Sequence, residues 1–265
     1  MDVNGQGAVI TGGHSGMGFA AAKLLIAKGA RVTLLGRRRD VVKEKASRIG
    51  ALGICCDISD PAAVEAAFDE AGSRHGPTRI LINAAAIGTL YTLLNPDGSP
   101  APVDIIRKQI DANVLGTLFA DRAIASRLTR VDPMDNGLRG VIINVSSIAS
   151  ADGCLGSVYA ASKGAVDAIA LSLARELAQW GIRVCTIAPG GIETEMFLDG
   201  ATPERFDVVK NHTPGLHRLG RPEEFGALAL HICENDYLNA VHIRCDGGFR
   251  VPFSLDVGVN ATKRA

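Results

Sequence analysis

Four polar residues have the types and spacing for acid–base chemistry on a carbon–oxygen bond. Tyr159 and Lys163 stand four apart in a segment of helical period, Val158-Tyr-Ala-Ala-Ser-Lys, so their side chains share one helix face. An ammonium beside a phenol favours the phenolate and lowers a pKa that starts at about 10. Tyr159 then becomes a usable proton donor or acceptor near neutrality. Ser146 closes the apolar run Val141-Ile-Ile-Asn-Val-Ser, which has the composition of a strand. Strand C-termini are where open α/β sheets bind ligands, and a hydroxyl there can donate to a substrate oxygen as charge develops on it. Asn113 lies in the helical segment before that strand, where its amide could hold a water between Lys163 and solvent. Taken singly, each has an ordinary alternative: core contact for Tyr159, solvated face for Lys163, turn residue for Ser146, buried polar tie for Asn113. Their joint placement favours chemistry.

A second constellation opens the chain. Thr11-Gly-Gly-His-Ser-Gly-Met-Gly separates an apolar strand-like run from the first helical segment. Gly12, Gly16 and Gly18 lack side chains, so backbone amides can approach a pyrophosphate, with His14, Ser15 and Met17 carried beside it and the helix start adding its dipole. An ordinary strand-to-helix turn is the alternative, and the three residues between Gly12 and Gly16 differ from the GxGxxG spacing. The second strand ends at Leu35, where dinucleotide folds specific for NAD carry an acid for the ribose 2′-hydroxyl. Here Gly36-Arg37-Arg38-Arg39 follows, ahead of a helix that Asp40 could cap. Cations at a helix N-terminus oppose its dipole unless an anion sits among them. A 2′-phosphate fits beside Arg37 and Arg38, Arg37 stacking on adenine or forking to the phosphate; a solvated basic turn is the alternative. NADP(H) is therefore favoured over NAD(H). Asp57, followed by Ile58, could accept from the adenine amino group or cap the helix entered through Pro61, and both readings stay open.

The elements that must position these residues alternate in kind. Strands are expected over 8–11, 31–35, 52–56, 80–83, 141–146, 183–188 and 241–245, with helices between them, including 62–73, 103–127, 157–180 and 222–232. Such alternation implies crossovers and a parallel sheet. The fold expected is α/β: a Rossmann-type, doubly wound sheet of about seven parallel strands with helices on both faces, one domain over 1–265. The irregular stretches 88–102 and 195–221 are loop-sized, there is no repeat, and the tail from 254 carries no signal. Apolar residues make up 47% of the chain, enough for a sizeable core, and 28 basic residues offset 28 acidic ones. That balance leaves no global field for nucleic acid or an anionic membrane. Six cysteines show no metal or disulfide spacing. No apolar run approaches the roughly 18 residues of a membrane span. A soluble, cytoplasmic protein with a small-molecule partner and no metal is the expectation.

These motifs, together with Asn83-Ala84-Ala85-Ala86 and Pro189-Gly190-Gly191-Ile192-Glu193-Thr194, resemble the short-chain dehydrogenase/reductase family over nearly the whole chain. The resemblance implies reversible hydride transfer between a nicotinamide coenzyme and a secondary alcohol or ketone. Tyr159 would be the proton donor or acceptor, Lys163 would bind the nicotinamide ribose, Ser146 would orient the substrate, and Asn113 would support a proton relay. Asn83, Ala84 and Ala85 would lie beside the adenine ribose, although Ala86 stands where the family has glycine. Pro189, Gly190, Ile192 and Thr194 would surround the nicotinamide carboxamide and phosphates.

Within the family the resemblance extends to the type 10 17β-hydroxysteroid/3-hydroxyacyl-CoA dehydrogenases, through segments such as Arg218-Leu-Gly-Arg-Pro-Glu-Glu-Phe. Those enzymes use NAD and carry an acid at the position of Gly36, so their coenzyme does not transfer. Short acyl-CoA thioesters and steroid alcohols become candidate substrates. Residues 195–217 would form a mobile lid, with Met196, Phe197, Leu198 and Phe206 lining either an apolar substrate pocket or a subunit contact. A homo-oligomer, tetrameric or dimeric, is implied as well. The alternative from another class is a nucleotide-sensing or scaffold protein that keeps the fold and not the reaction, which would need no intact acid–base set.

Overall fold

The computed structural model describes residues 1–153, 156–199 and 203–252, the side chains of residues 204 and 205 aside. The tail from 254 and positions 200–202 of the expected lid lie outside the described residues. In chain order the elements are β1 (Gly7–Thr11), α1 (Gly16–Ala27), β2 (Arg31–Gly36), α2 (Arg39–Ile49), β3 (Leu52–Cys55), α3 (Pro61–His75), β4 (Thr78–Asn83) and α4 (Val103–Ile110). There follow a π turn (Asp111–Leu115), α5 (Gly116–Leu128), β5 (Gly140–Val145), α6 (Ala149–Asp152), α7 (Ser157–Leu177) and β6 (Ile182–Pro189). The series closes with α8 (Glu195–Leu198), α9 (Pro203–Asn211), α10 (Pro222–Glu234) and β7 (His242–Cys245).

The strands form one parallel sheet in the order β3-β2-β1-β4-β5-β6-β7. Successive side chains of a strand point to opposite faces, and here both faces are dry. Ala8, Ile10, Ile80, Ile82, Val141 and Ile143 pack with α1, α2 and α10 on one side. Val9, Leu81 and Ile142, the residues between them, pack with α3, α5 and α7 on the other. Burial on both faces is why these strands read as unbroken Val/Ile/Leu runs. Phe225 on the first side and Phe68 on the second are fully buried, each contributing about 1.5–3 kcal/mol by transfer from water.

The order of strand addition switches from one side of the sheet to the other between β1 and β4, and the crevice beyond their carboxyl ends is the place for a ligand. The ends of β1, β4, β5 and β6 bring Thr11, Asn83, Ser146 and Pro189 to that edge.

Two expectations change. The single helix expected over 103–127 is interrupted by the π turn that carries Asn113. Gln109 Nε2 donates to the Ile87 and Thr89 carbonyls, and Asn113 bonds Ile87 through both ends of its amide, so tertiary ties bracket the wider turn. The stretch from 195 is not wholly irregular, because α8 and α9 lie within it. Thr194 caps the first, accepting from the Phe197 amide at 3.3 Å, and Pro203 opens the second. Phe197 and Phe206 then meet edge to face, ring centroids 5.8 Å apart. Helices this short leave too few turns for a periodic signal.

Candidate active site

At the end of β1 the chain turns through Gly12 at φ 63° and Gly16 at φ 48°, backbone that L side chains rarely adopt. Space is equally restrictive. A Cβ on Gly12 would stand 2.8 Å from the backbone of Ala85, and one on Gly18 would stand 2.8 Å from the Gly12 carbonyl oxygen. Ser15, the N-cap of α1, is extended and makes no side-chain cap bond, so the amides of the first turn keep their donors for an anion. Thr194 packs its methyl against Gly16, joining the segment after β6 to this loop. A cradle of bare backbone at a helix N-terminus, flush with the start of the segment after β4, fits a dinucleotide.

At the far end of the cleft Arg37 and Arg38 are exposed and make no ion pair among the described residues. Arg38 occupies the N-cap of α2 without a capping bond, and Asp40 lies in the first turn instead of capping it. Asp57 does not cap α3 either: it accepts from Ser59 through the amide at 3.0 Å and the hydroxyl at 2.8 Å, while Asp60 caps the helix through the Ala62 amide. Ile58 turns its side chain inward against Gly116.

Asn83, expected beside the coenzyme, directs its side chain into the sheet. Its Nδ2 donates to Asp121 at 2.8 Å and to Asn144 at 2.9 Å, and its Oδ1 accepts from Thr11. Asn144 also donates to Asp121, at 3.0 Å. Thr11 Oγ1 in turn accepts from the Ala85 amide, so the network holds the segment after β4 against the glycine loop. Burial pushes the Asp121 carboxyl up to about 7, against the two amide donors that favour its charge. The folded protein therefore binds more protons than the unfolded chain from the ordinary carboxylate range up to about 7. Stability should fall as pH rises through that window, by a term on the order of 4 kcal/mol. Asp121→Asn should flatten the decline in thermal midpoint between acidic and mildly alkaline buffer. Identical slopes in both proteins would remove Asp121 as its source.

Tyr159 and Lys163 share one face of α7, and Ser146 meets Tyr159 at the same cavity. Lys163 is buried on α7; its Nζ donates to the Val145 carbonyl at 2.8 Å and lies 5.9 Å from the centre of the Tyr159 ring. Burial lowers its ammonium to about 8, opposed by the charge of Asp167 one turn further on. Ser146, immediately after β5, accepts from the Ser147 amide, while among the described residues its own proton has only a long 3.4 Å contact to the Ser147 carbonyl. Ser146 and Tyr159 line one cavity of 160 Å³, with Met17, Pro189, Ile192 and Met196 among its apolar walls. Gly190 borders it as well. The Asn113 amide is tied into the protein at both ends. Its Nδ2 donates to the Ile87 carbonyl and to Ser162 Oγ, each at 3.0 Å, and its Oδ1 accepts from the Ile87 amide at 2.7 Å.

Sequence reasoning missed one wall of the cavity, formed by Phe249 and Val251. Arg244 holds it in place: its two terminal nitrogens fork to Asp152 at 2.7 and 2.8 Å, its Nε donates to Asp246 at 2.6 Å, and it reaches the Phe249 carbonyl at 3.2 Å. That pairing keeps the Asp152 carboxyl below the usual carboxylate range. A guanidinium inside the apolar run of the last strand was the available signal.

The family model described as short chain dehydrogenase matches residues 6–203. The chain belongs to this family. It is 34% identical over 254 residues to the 3-hydroxyacyl-CoA dehydrogenase type-2 of Homo sapiens, covering 94% of this chain and 97% of that protein. To the galactitol 2-dehydrogenase (L-tagatose-forming) of Cereibacter sphaeroides it is 33% identical over 260 residues, covering 94% and 96%. The crystal structure of a 3-hydroxyacyl-CoA dehydrogenase type-2 from Mycobacterium avium superposes with a TM-score of 0.87 at 31% identity, covering 94% of this chain and 97% of that one. With membership comes NAD(P)-dependent oxidoreductase activity on alcohol and carbonyl groups. No helix among the described residues is long and apolar enough to cross a membrane.

Proposed function

We propose that this short-chain dehydrogenase interconverts a secondary alcohol and a ketone of small apolar character, such as a hydroxysteroid or a 3-hydroxyacyl thioester, with NADP(H). The reading rests on one observation: Ser146 and Tyr159 share a mostly apolar cavity directly beside the buried Lys163 ammonium. When bound, the coenzyme supplies or accepts the hydride. The glycine loop from Gly12 to Gly18, Ala84, Ala85 and the segment Pro189 to Thr194 would hold it, with Lys163 toward the nicotinamide ribose.

Tyr159 moves the proton to or from the substrate oxygen, favoured in its charged form by the cation beside its ring. Ser146 donates to that same oxygen and fixes its position. Asn113 acts at one remove, pinning Ile87 and Ser162 around the active-site helix. Met196, packed on Gly88, and Phe249, both lining the cavity, exclude water from the reacting carbon. Residues 195–217 act as the lid, anchored where the Gly220 amide donates to the Gly191 carbonyl at 2.9 Å. The exposed Leu115 at the end of the π turn, Leu118 on α5 and Leu171 on α7 support a homo-oligomeric working form.

The test is a screen of NADPH against NADH with ketones, β-ketoesters and acetoacetyl-CoA, repeated for Arg37→Ala. NADPH should be preferred, and the variant should lose about tenfold to a hundredfold in NADPH affinity, the range of one charge-assisted contact. Equal use of both coenzymes before and after the substitution would end the NADP assignment.

A further inference from the structure

Gly36, the last residue of β2, is glycine for want of space and not for its backbone angles, since its φ is outside the left-handed region. A Cβ built on it would lie 2.5 Å from His14 Nδ1 and 2.9 Å from His14 Cε1. The middle of the phosphate loop and the end of β2 therefore fit together as ring on bare backbone. The neighbouring Gly13 already lies so close to β1 and β2 that a Cβ there would stand 2.8 Å from Leu34 Cδ2 and 2.9 Å from the Ile10 carbonyl. Nδ1 of the ring is buried and without a hydrogen-bond partner among the described residues, and the ring is seated against Gly36 and the Leu35 backbone.

We propose that His14 holds position 36 to glycine: its imidazole takes the volume in which any side chain there would stand, and so bars a carboxylate, the group that selects NAD, from the end of β2. This rests on the cleft being the coenzyme site. An acid at that position is the group that pairs with the ribose hydroxyls of NAD in dinucleotide folds, and it would repel a 2′-phosphate. The chain thus lacks the acid and also lacks room for it. Selectivity built by a steric obstacle has a distinct genetic signature: adding the acid alone fails, and adding it after removing the obstacle succeeds.

The test is a double-substitution cycle of wild type, Gly36→Asp, His14→Ala and the pair, read by calorimetric dissociation constants for NADH and NADPH and by thermal midpoints without coenzyme. Gly36→Asp should lower the midpoint and gain no NADH affinity. The pair should recover the midpoint and bind NADH at least about tenfold more tightly than Gly36→Asp alone, a coupling of about 1.4 kcal/mol, within the range for residues in contact. His14→Ala alone should keep the coenzyme preference of wild type. Additive effects, with Gly36→Asp binding NADH as tightly as the pair, would overturn the proposal. Should Gly36→Asp not fold, Gly36→Ala replaces it: a midpoint lowered only when His14 is present upholds the contact, and an equal loss in both backgrounds overturns it. A wild type with equal affinity for NADH and NADPH would instead overturn the NADP reading, while the cycle would still report the His14–Gly36 coupling.

Discussion

Tyr159→Phe is expected to reduce turnover about a hundred- to ten-thousand-fold, the usual share of a positioned acid–base group, while leaving the coenzyme dissociation constant unchanged. Phenylalanine keeps the ring that faces Lys163 at 5.9 Å and the wall it lends to the cavity, so only the transferable proton is lost. Steady-state rates of ketone-dependent NADPH oxidation and calorimetric coenzyme binding should separate accordingly. A protein that senses the nucleotide without turning it over would lose nothing by this change. An undiminished rate in the variant would remove Tyr159 from the mechanism and, with it, the meaning given to the buried ammonium.

What the sequence disclosed follows from where each signal is encoded. Strands buried on both faces are apolar throughout, so Val141 to Val145 and Ile80 to Ile82 identify themselves without any partner being known. Tyr159 and Lys163 share a helix, and their one-turn spacing carries their proximity. Features made by contacts distant in sequence were not legible. The π turn at Asn113 depends on Ile87, and the wall at Phe249 depends on an arginine reaching back to Asp152. Asn83 illustrates the same limit in reverse. Its place at the end of β4 suggested a coenzyme contact, and the register of β4 with β5 adds what the sequence could not show, its side-chain amide meeting Asn144 and the buried Asp121. The fit of His14 on Gly36 is invisible too, because a glycine after a strand reads as a turn residue until the ring above it is seen.

Lys163→Met is the second change expected to reduce the rate by orders of magnitude, and pH makes it diagnostic. The ammonium is active when charged, and burial has lowered it to about 8, so the alkaline limb of the rate profile should fall in that region. Removing the cation should lower kcat about a hundred- to a thousandfold, the scale of one preorganised electrostatic contact, and should abolish that limb. Asp167 supplies the neighbouring negative charge that resists the lowering, and its Oδ1 lies 3.2 Å from His242 Nε2. Asp167→Asn should therefore move the limb to lower pH without removing it. Stability gives an independent reading with a fixed sign. Between about 8 and the ordinary lysine value the unfolded chain binds the proton that the folded one has released. Wild-type stability should thus gain a rising component with pH in that window, which Lys163→Met should lack. If the methionine variant kept the wild-type alkaline limb, the titrating group would lie elsewhere, and the buried cation would no longer account for the acidity of Tyr159.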